Sequence, residues 1–217
     1  MSALYYCRQT TTACKGIPYP SKTHPYRYGT SGCVYTSGCG VCASLMALRN
    51  STTRVFNTRQ WTHRCLGMGA RAAEGTDMAV VARYMKEKYG LDYAITTDMD
   101  RLVAHLKQGY KAIINVSGGG KMLFSNSGHY VLAAGIDKNG NLIILDPYWY
   151  DGKFTLTAAR RKYTRVKNGR EVYVRPADLK GDVLSLWLFT PKRDVRLAYS
   201  VNDMHYRKSC LLYTSDA

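Results

Sequence analysis

Acidic residues are scarce in this chain: 15 Asp plus Glu stand against 31 Lys plus Arg in 217 residues, a formal charge of +16. A balance that far from zero concerns partners rather than fold, and the natural ones are polyanions: nucleic acid, anionic lipid or a wall bearing teichoic acid. The basic residues are spread along the chain, however, and no recognisable nucleic-acid module accompanies them, so no nucleic-acid partner is expected. No apolar run approaches the length needed to cross a bilayer. The first eight residues, Met1 to Arg8, lack the basic start and apolar stretch of a secretory signal. The expectation is a protein made and kept in the cytosol, or released by another route. A second Cys-x-x-C is missing as well. Cys39 and Cys42 form one such pair, but zinc would want another at similar spacing, so neither metal nor other cofactor is expected. Seven cysteines without a signal peptide should be mostly reduced, with a Cys7–Cys14 or Cys33–Cys65 pairing left open.

What remains is a chain long enough for one domain of ordinary size. Residues 5–38 are rich in Tyr, Pro, Gly, Ser and Thr and read as an irregular arm draped over the domain. Within it Thr30-Ser31-Gly32-Cys33 recurs as Thr36-Ser37-Gly38-Cys39. From Gly40 to Asn50, residues Cys42, Leu45, Met46 and Arg49 recur at helical steps. Thr76-Asp77 opens a second helix through Val80, Val81, Tyr84, Met85 and Tyr89, stopped by Gly90. Asp98 caps a third through Leu102, Val103 and Leu106, closed by Gly109. Residues 112–116, 130–136, 142–145, 172–174 and 183–189 then read as strands, with Asp137-Lys138-Asn139-Gly140 as a hairpin turn. Helices first and an antiparallel sheet after make an α+β class.

A catalytic thiol needs a lowered pKa and access to substrate, and a helix N-terminus with a neighbouring imidazole supplies the first. Cys39 stands immediately before the helix that begins near Gly40. Gly38 and Gly40 allow a close backbone approach, and the Cys39 amide can point at an oxyanion. Cys33 is followed by no helix in this reading, and Cys42 lies one turn inside and is expected to pack. The bland alternative is that all three are buried filler, the common state of a free cysteine. Among five histidines, His105 looks structural, while His24 and His63 lie in irregular polar stretches. His129 follows Gly128 and starts an apolar strand. The turn at 137–140 brings Asp146 to the same open end of the hairpin, where a carboxylate can orient an imidazole. A strand-end histidine that merely caps the sheet is the competing reading.

The run from Ser37 to Leu48 resembles the nucleophile helix of the bacteriocin-leader-peptidase-like family of papain-like cysteine peptidases. The run from Gly128 to Asp137, continued by Leu145-Asp146-Pro147, is similar to that family's histidine strand and Asp-Pro end. Gly75-Thr76 and residues 102–116 resemble its middle segment, so the likeness covers roughly residues 5–190. Val41-Cys42 departs from the Pro-Thr that often follows Cys-Gly in the family. The resemblance implies a papain-like fold, with N-terminal helices packed on a C-terminal sheet. It also implies a catalytic triad of Cys39, His129 and Asp146, with an upstream glutamine, best matched by Gln9, donating to the oxyanion. Relatives include leader peptidases on transporters and phage or bacterial enzymes that cut peptidoglycan.

The endolysin-like reading, with bacterial peptidoglycan and anionic wall polymers as partners, fits the charge and the missing spans. Made in a host cytoplasm, such an enzyme would act on the wall after release. The alternatives are a peptidase of protein or leader-peptide substrates, and a silent relative that binds polyanions. Tyr148 and Trp149 could line a peptide groove, with core packing the competing role. Residues 1–192 are expected to form the catalytic domain. The stretch 199–209, within a linker from 193, resembles the opening of a Src-homology-3-like wall-binding module. Residues 210–217 resemble a translated transposon-end adapter, so natural sequence would continue past Ser209.

Overall fold

A computed structural model describes residues 4–192; the expected wall-binding module and adapter-like tail, with His205 and Cys210, lie outside them. In chain order the elements are α1 (Thr12–Lys15), α2 (Val34–Ser37), α3 (Cys39–Ser51), α4 (Thr58–Gly67), α5 (Met78–Tyr89), β1 (Leu91–Thr96), α6 (Met99–Lys107), β2 (Lys111–Val116), β3 (His129–Ile136), β4 (Leu142–Leu145), α7 (Ala158–Tyr163), β5 (Thr164–Lys167), β6 (Glu171–Val174), α8 (Pro176–Leu179) and β7 (Val183–Pro191). The seven strands form one sheet in the order β1-β7-β2-β3-β4-β6-β5, and every neighbouring pair is antiparallel.

The two faces of the sheet carry separate cores. On one, α3, α4 and α5 pack over Ile113, Leu132, Leu145 and Phe189. On the other, Met99, Leu102 and Leu106 of α6 meet Ile114, Val131, Ile144 and Leu186. The alternation of side chains across a strand divides these two sets. Helix α3 is buried from Gly40 through Leu48 without a break, which explains its weak polar face and marks it as the central helix. The antiparallel α+β, papain-like expectation holds, with one refinement. Strand β1 precedes α6, and α6 lies on the face opposite α3, so the helices do not all come first or pack on one side.

The capping chemistry read from the sequence is realised at two starts. Asp77 accepts from the amides of Ala79 and Val80, and Asp98 from those of Asp100 and Arg101. Gly90 ends α5 in the left-handed region at φ 63, where an L side chain is strained. The third helix stops at Gln108, one residue before Gly109. Some stretches not read as helical are helical, among them α1 and α2 within the arm. Residues 58–67, carrying His63, form α4 behind a capping box of Asn57 and Gln60, and residues 176–179 form α8.

The arm does drape over the domain, and specific bonds fix it. Asn50 at the end of α3 accepts from Tyr5 N at 2.8 Å and donates to Tyr5 O at 2.9 Å. Tyr6 Oη then donates to Asp146 O at 2.7 Å, Gln9 N donates to Pro147 O at 2.9 Å, and Thr10 Oγ1 donates to Trp149 O. The arm is thereby stitched to the segment that follows β4.

Candidate active site

The site lies where the first turn of α3 meets the first residue of β3. Cys39 opens α3 behind Gly38 and is partly exposed, whereas Cys33 and Cys42 are fully buried. Cys33 caps the short helix α2, contrary to the expectation that no helix follows it. The Thr-Ser-Gly-Cys repeat is thus two successive helix starts. What separates the two cysteines is burial rather than the helix dipole. Among the described residues all six cysteines are free thiols. Cys42 is held well above the usual thiol range, first by hydrogen bonding to Cys7 and then by burial.

His129 begins β3 and is 6% exposed. The pairing Leu132↔Leu145 sets Asp146, one residue on, beside Val131 and diagonal to His129. His129 Nε2 lies 2.7 Å from Asp146 Oδ1, which leaves Nδ1 for the Cys39 sulfur. Burial alone would push the Cys39 thiol up. Its hydrogen bond and charge interaction with His129, helped by the amides of Tyr130 and Gly40, hold it below the usual value. For His129 burial pulls downward, but the charge of Asp146 and the contacts with Asp146 and Cys39 win, and its pKa is pushed up to about 9. Burial would raise the carboxyl of Asp146, yet His129 and Lys153 together keep it below the ordinary carboxylate range. A thiolate–imidazolium pair is what these directions favour.

Gln9 is 2% exposed and lies on the arm, where its backbone N donates to the carbonyl of Pro147, the residue after Asp146. Its Nε2 donates to Tyr35 O at 3.1 Å, while its Oε1 is buried without a partner among the described residues. Turning the amide over would set oxygen against the Tyr35 carbonyl, so the nitrogen belongs there and carries a second proton for another acceptor.

The glycines divide. A Cβ on Gly40 would come within 2.5 Å of Thr76 Cβ, so packing of α3 against Thr76, not substrate approach, forbids a side chain there. A Cβ on Gly38 would meet Val34 at 2.5 Å, whereas one on Gly128 would meet nothing within 4 Å. The two aromatics divide as well. Tyr148 is 41% exposed with its ring 6.4 Å from that of His129. Trp149, partly buried, instead packs its ring at a tilt against Phe154, 5.4 Å away, beside the core of the opposite face, which favours the packing role. His105 is structural, its Nε2 near the carbonyls of Lys111 and Phe189. His24 is partly exposed and contacts Thr23 and Ala73 O, and His63 is exposed on α4.

One participant has no signal in the sequence pattern. Gly152, at φ 77, turns the chain back after β4 and sends Lys153 into the interior. Its Nζ lies 2.5 Å from Asp146 Oδ2 and 2.8 Å from Tyr148 O, and the residue is 2% exposed. Hydropathy reads a lysine as surface, and only a buried acid seven residues earlier could have pointed to it.

The sequence matches the family described as Peptidase_C39 like over residues 14–171. No curated protein matches it. Among solved structures, the peptidase domain of Streptococcus ComA, a bi-functional ABC transporter involved in quorum sensing, is similar at TM-score 0.47 and 14% identity, covering 71% of this chain and 91% of that one. The peptidase domain of Streptococcus mutans ComA is similar at TM-score 0.43 and 14% identity, covering 72% and 93%.

Proposed function

The chain belongs to the Peptidase_C39 like family and is a cysteine peptidase, and from that premise we propose that it cleaves peptide or amide bonds of bacterial peptidoglycan through Cys39, His129 and Asp146. The observation that carries the catalytic assignment is the contact series from the Cys39 sulfur through the His129 ring to Asp146, closed at 2.7 Å.

In this reading His129 Nδ1 takes the thiol proton, and the thiolate attacks the scissile carbonyl carbon. The carbonyl π electrons move to oxygen, where the Cys39 amide at the head of α3 and the Gln9 Nε2 proton receive the negative charge. The C–N bond then breaks as the imidazolium hands its proton to the departing amine, leaving a thioester on Cys39. Water, deprotonated by His129, attacks that thioester, and the thiol regains its proton as the acid leaves. Asp146 keeps Nε2 protonated and the ring turned toward the sulfur throughout. Tyr148 forms an aromatic wall beside the imidazole for a peptide to lie against.

The choice of wall peptide over protein substrate is supported by charge. Besides the total of +16, the exposed cations Lys162, Arg165, Lys167 and Arg175 line one open groove in which Asp178 is the sole acid. That groove also holds Asn141, at the far end of the β3–β4 hairpin from Asp146, so an anionic polymer held there leaves the cleft open. Turbidity loss of purified cell walls, with mass analysis of the released fragments, tests the proposal. New amine and carboxyl ends in the stem peptide, absent with Cys39→Ala, are expected. Intact walls together with cleavage of a leader peptide after a double glycine would move the substrate to the protein class.

A further inference from the structure

The catalytic scheme leaves one buried charge without a task. Lys153 is nearly inaccessible, yet its ammonium sits 2.5 Å from Asp146 Oδ2 and 2.8 Å from Tyr148 O. The rings of Tyr148, Tyr150 and Phe154 surround it, with centroids 5.3, 6.0 and 5.6 Å away. Burying an ammonium is costly, and an apolar residue of similar length would fill this space without that cost. Asp146 divides its oxygens between two partners: Oδ1 accepts from His129 Nε2 and Tyr148 N, and Oδ2 accepts from Lys153. From the nucleophile outward the groups run sulfur, imidazole, carboxylate, ammonium. Once the thiol proton is on His129, their charges alternate in sign.

We propose that Lys153 is a positioning residue for catalysis, holding the Asp146 carboxylate ionised with Oδ1 turned to His129 and balancing the charge of the Cys39 thiolate. The proposal rests on the cysteine-peptidase reading of the site and deepens it. Without the ammonium, thiolate, imidazolium and carboxylate would carry one net negative charge in a dry place. The relief is a proton, and it goes to the sulfur, because Asp146 still faces the imidazolium. Removing a positive charge strengthens proton binding at each neighbouring acid, so the direction is the same whichever group takes the proton.

The other groups facing this array do not replace Lys153: Arg71, whose charge also acts on Cys39, donates its guanidinium to the carbonyls of Tyr19, Ala72 and Gly75 and not to the carboxylate. Tyr6, on the arm beside Arg8, donates its hydroxyl to Asp146 O, and burial keeps that phenol neutral. Tyr130, beside the sulfur, is likewise pushed up to about 12 by burial. Arg160 of α7 is a cation, but its Nη1 donates to Lys153 O at 3.2 Å and its Nε to Met122 O, not to the carboxylate.

Alkylation of Cys39 by iodoacetamide, followed against pH and mapped by mass spectrometry, reads the thiolate directly and needs no substrate. The remaining described cysteines are buried and do not compete. Lys153→Met should move the midpoint of reactivity upward by about one pH unit or more, roughly a tenfold loss of thiolate on the acid side. Lys153→Arg, which keeps the charge, should stay near wild type. A filler role for the lysine stem gives the reverse: Met unchanged and Arg disturbed. An unmoved midpoint in Lys153→Met overturns the proposal and leaves the Cys39 assignment intact. A wild-type midpoint at an ordinary thiol value overturns the peptidase reading of Cys39 instead. Should the Met variant not fold, nitrogen NMR of wild-type Lys153 decides: an ammonium from pH 5 to 9 supports the proposal, and a neutral amine overturns it.

Discussion

Replacing Asp146 by Asn changes one atom, and the structure sets what that change costs. Oδ1 must still accept from His129 Nε2 and Tyr148 N, so the new amide nitrogen takes the place of Oδ2, 2.5 Å from the Lys153 ammonium. Two donors then face each other where Asp146 is 0% and Lys153 2% exposed, so water does not screen them. Leaving a buried charge unpaired in this way costs about 3–5 kcal/mol, out of a total stability of about 5–15 kcal/mol for a domain. Lys153→Met alone strands the carboxylate less severely, since His129 remains, and should cost about 2–4 kcal/mol. The double variant removes both charges and sets the Asn amide against a thioether, so it should lose less than the two single losses added together, with a coupling of roughly 3 kcal/mol. Urea unfolding of the four proteins, with slopes checked for constancy, measures this. Simple addition of the two single losses would refute the buried pairing. Activity should stay low in the double variant, because the imidazole has lost its anionic partner.

Other outcomes follow from the same geometry. Gln9→Ala should lower kcat by about 10²–10³ with little change in KM, if its amide meets charge that exists only in the transition state; steady-state kinetics on the cleaved wall fragment checks this. The folded pKa of His129, about 9, lies above its ordinary 6.5, so the stability it contributes is whole below the lower value and lost as pH rises through the upper one. The difference in Tm between wild type and His129→Gln should therefore shrink from pH 6 to pH 10, and a constant difference would count against the raised value. Gly40→Ala should cost about 1–3 kcal/mol through its clash with Thr76, seen as a lower urea midpoint.

Much of this architecture could be read from local chemistry. Asp77 and Asp98 announced their helices because a carboxylate that caps two amides is a local device, and the Asp-Lys-Asn-Gly turn did the same for the β3–β4 hairpin. The helix start at Cys39 and the strand start at His129 were legible for the same reason. Helix α4 was not, because Arg59, His63 and Arg64 obscure the apolar side on which Trp61 and Cys65 are buried one turn apart. Strands β1 and β5 were missed because they are the two edges of the sheet, where polar residues replace the alternation of a central strand. Lys153 could not be read at all. Its burial depends on a chain reversal at Gly152 and on an acid from another element, and neither leaves a period in the sequence.

The most direct measurement is acid quenching of the protein while it turns over purified wall peptides, followed by peptide mapping. A thioester adduct on Cys39, absent from Cys39→Ala and enriched when deacylation is slowed at low pH, is the predicted result. An adduct on another residue, or undiminished hydrolysis by Cys39→Ala, would contradict the account.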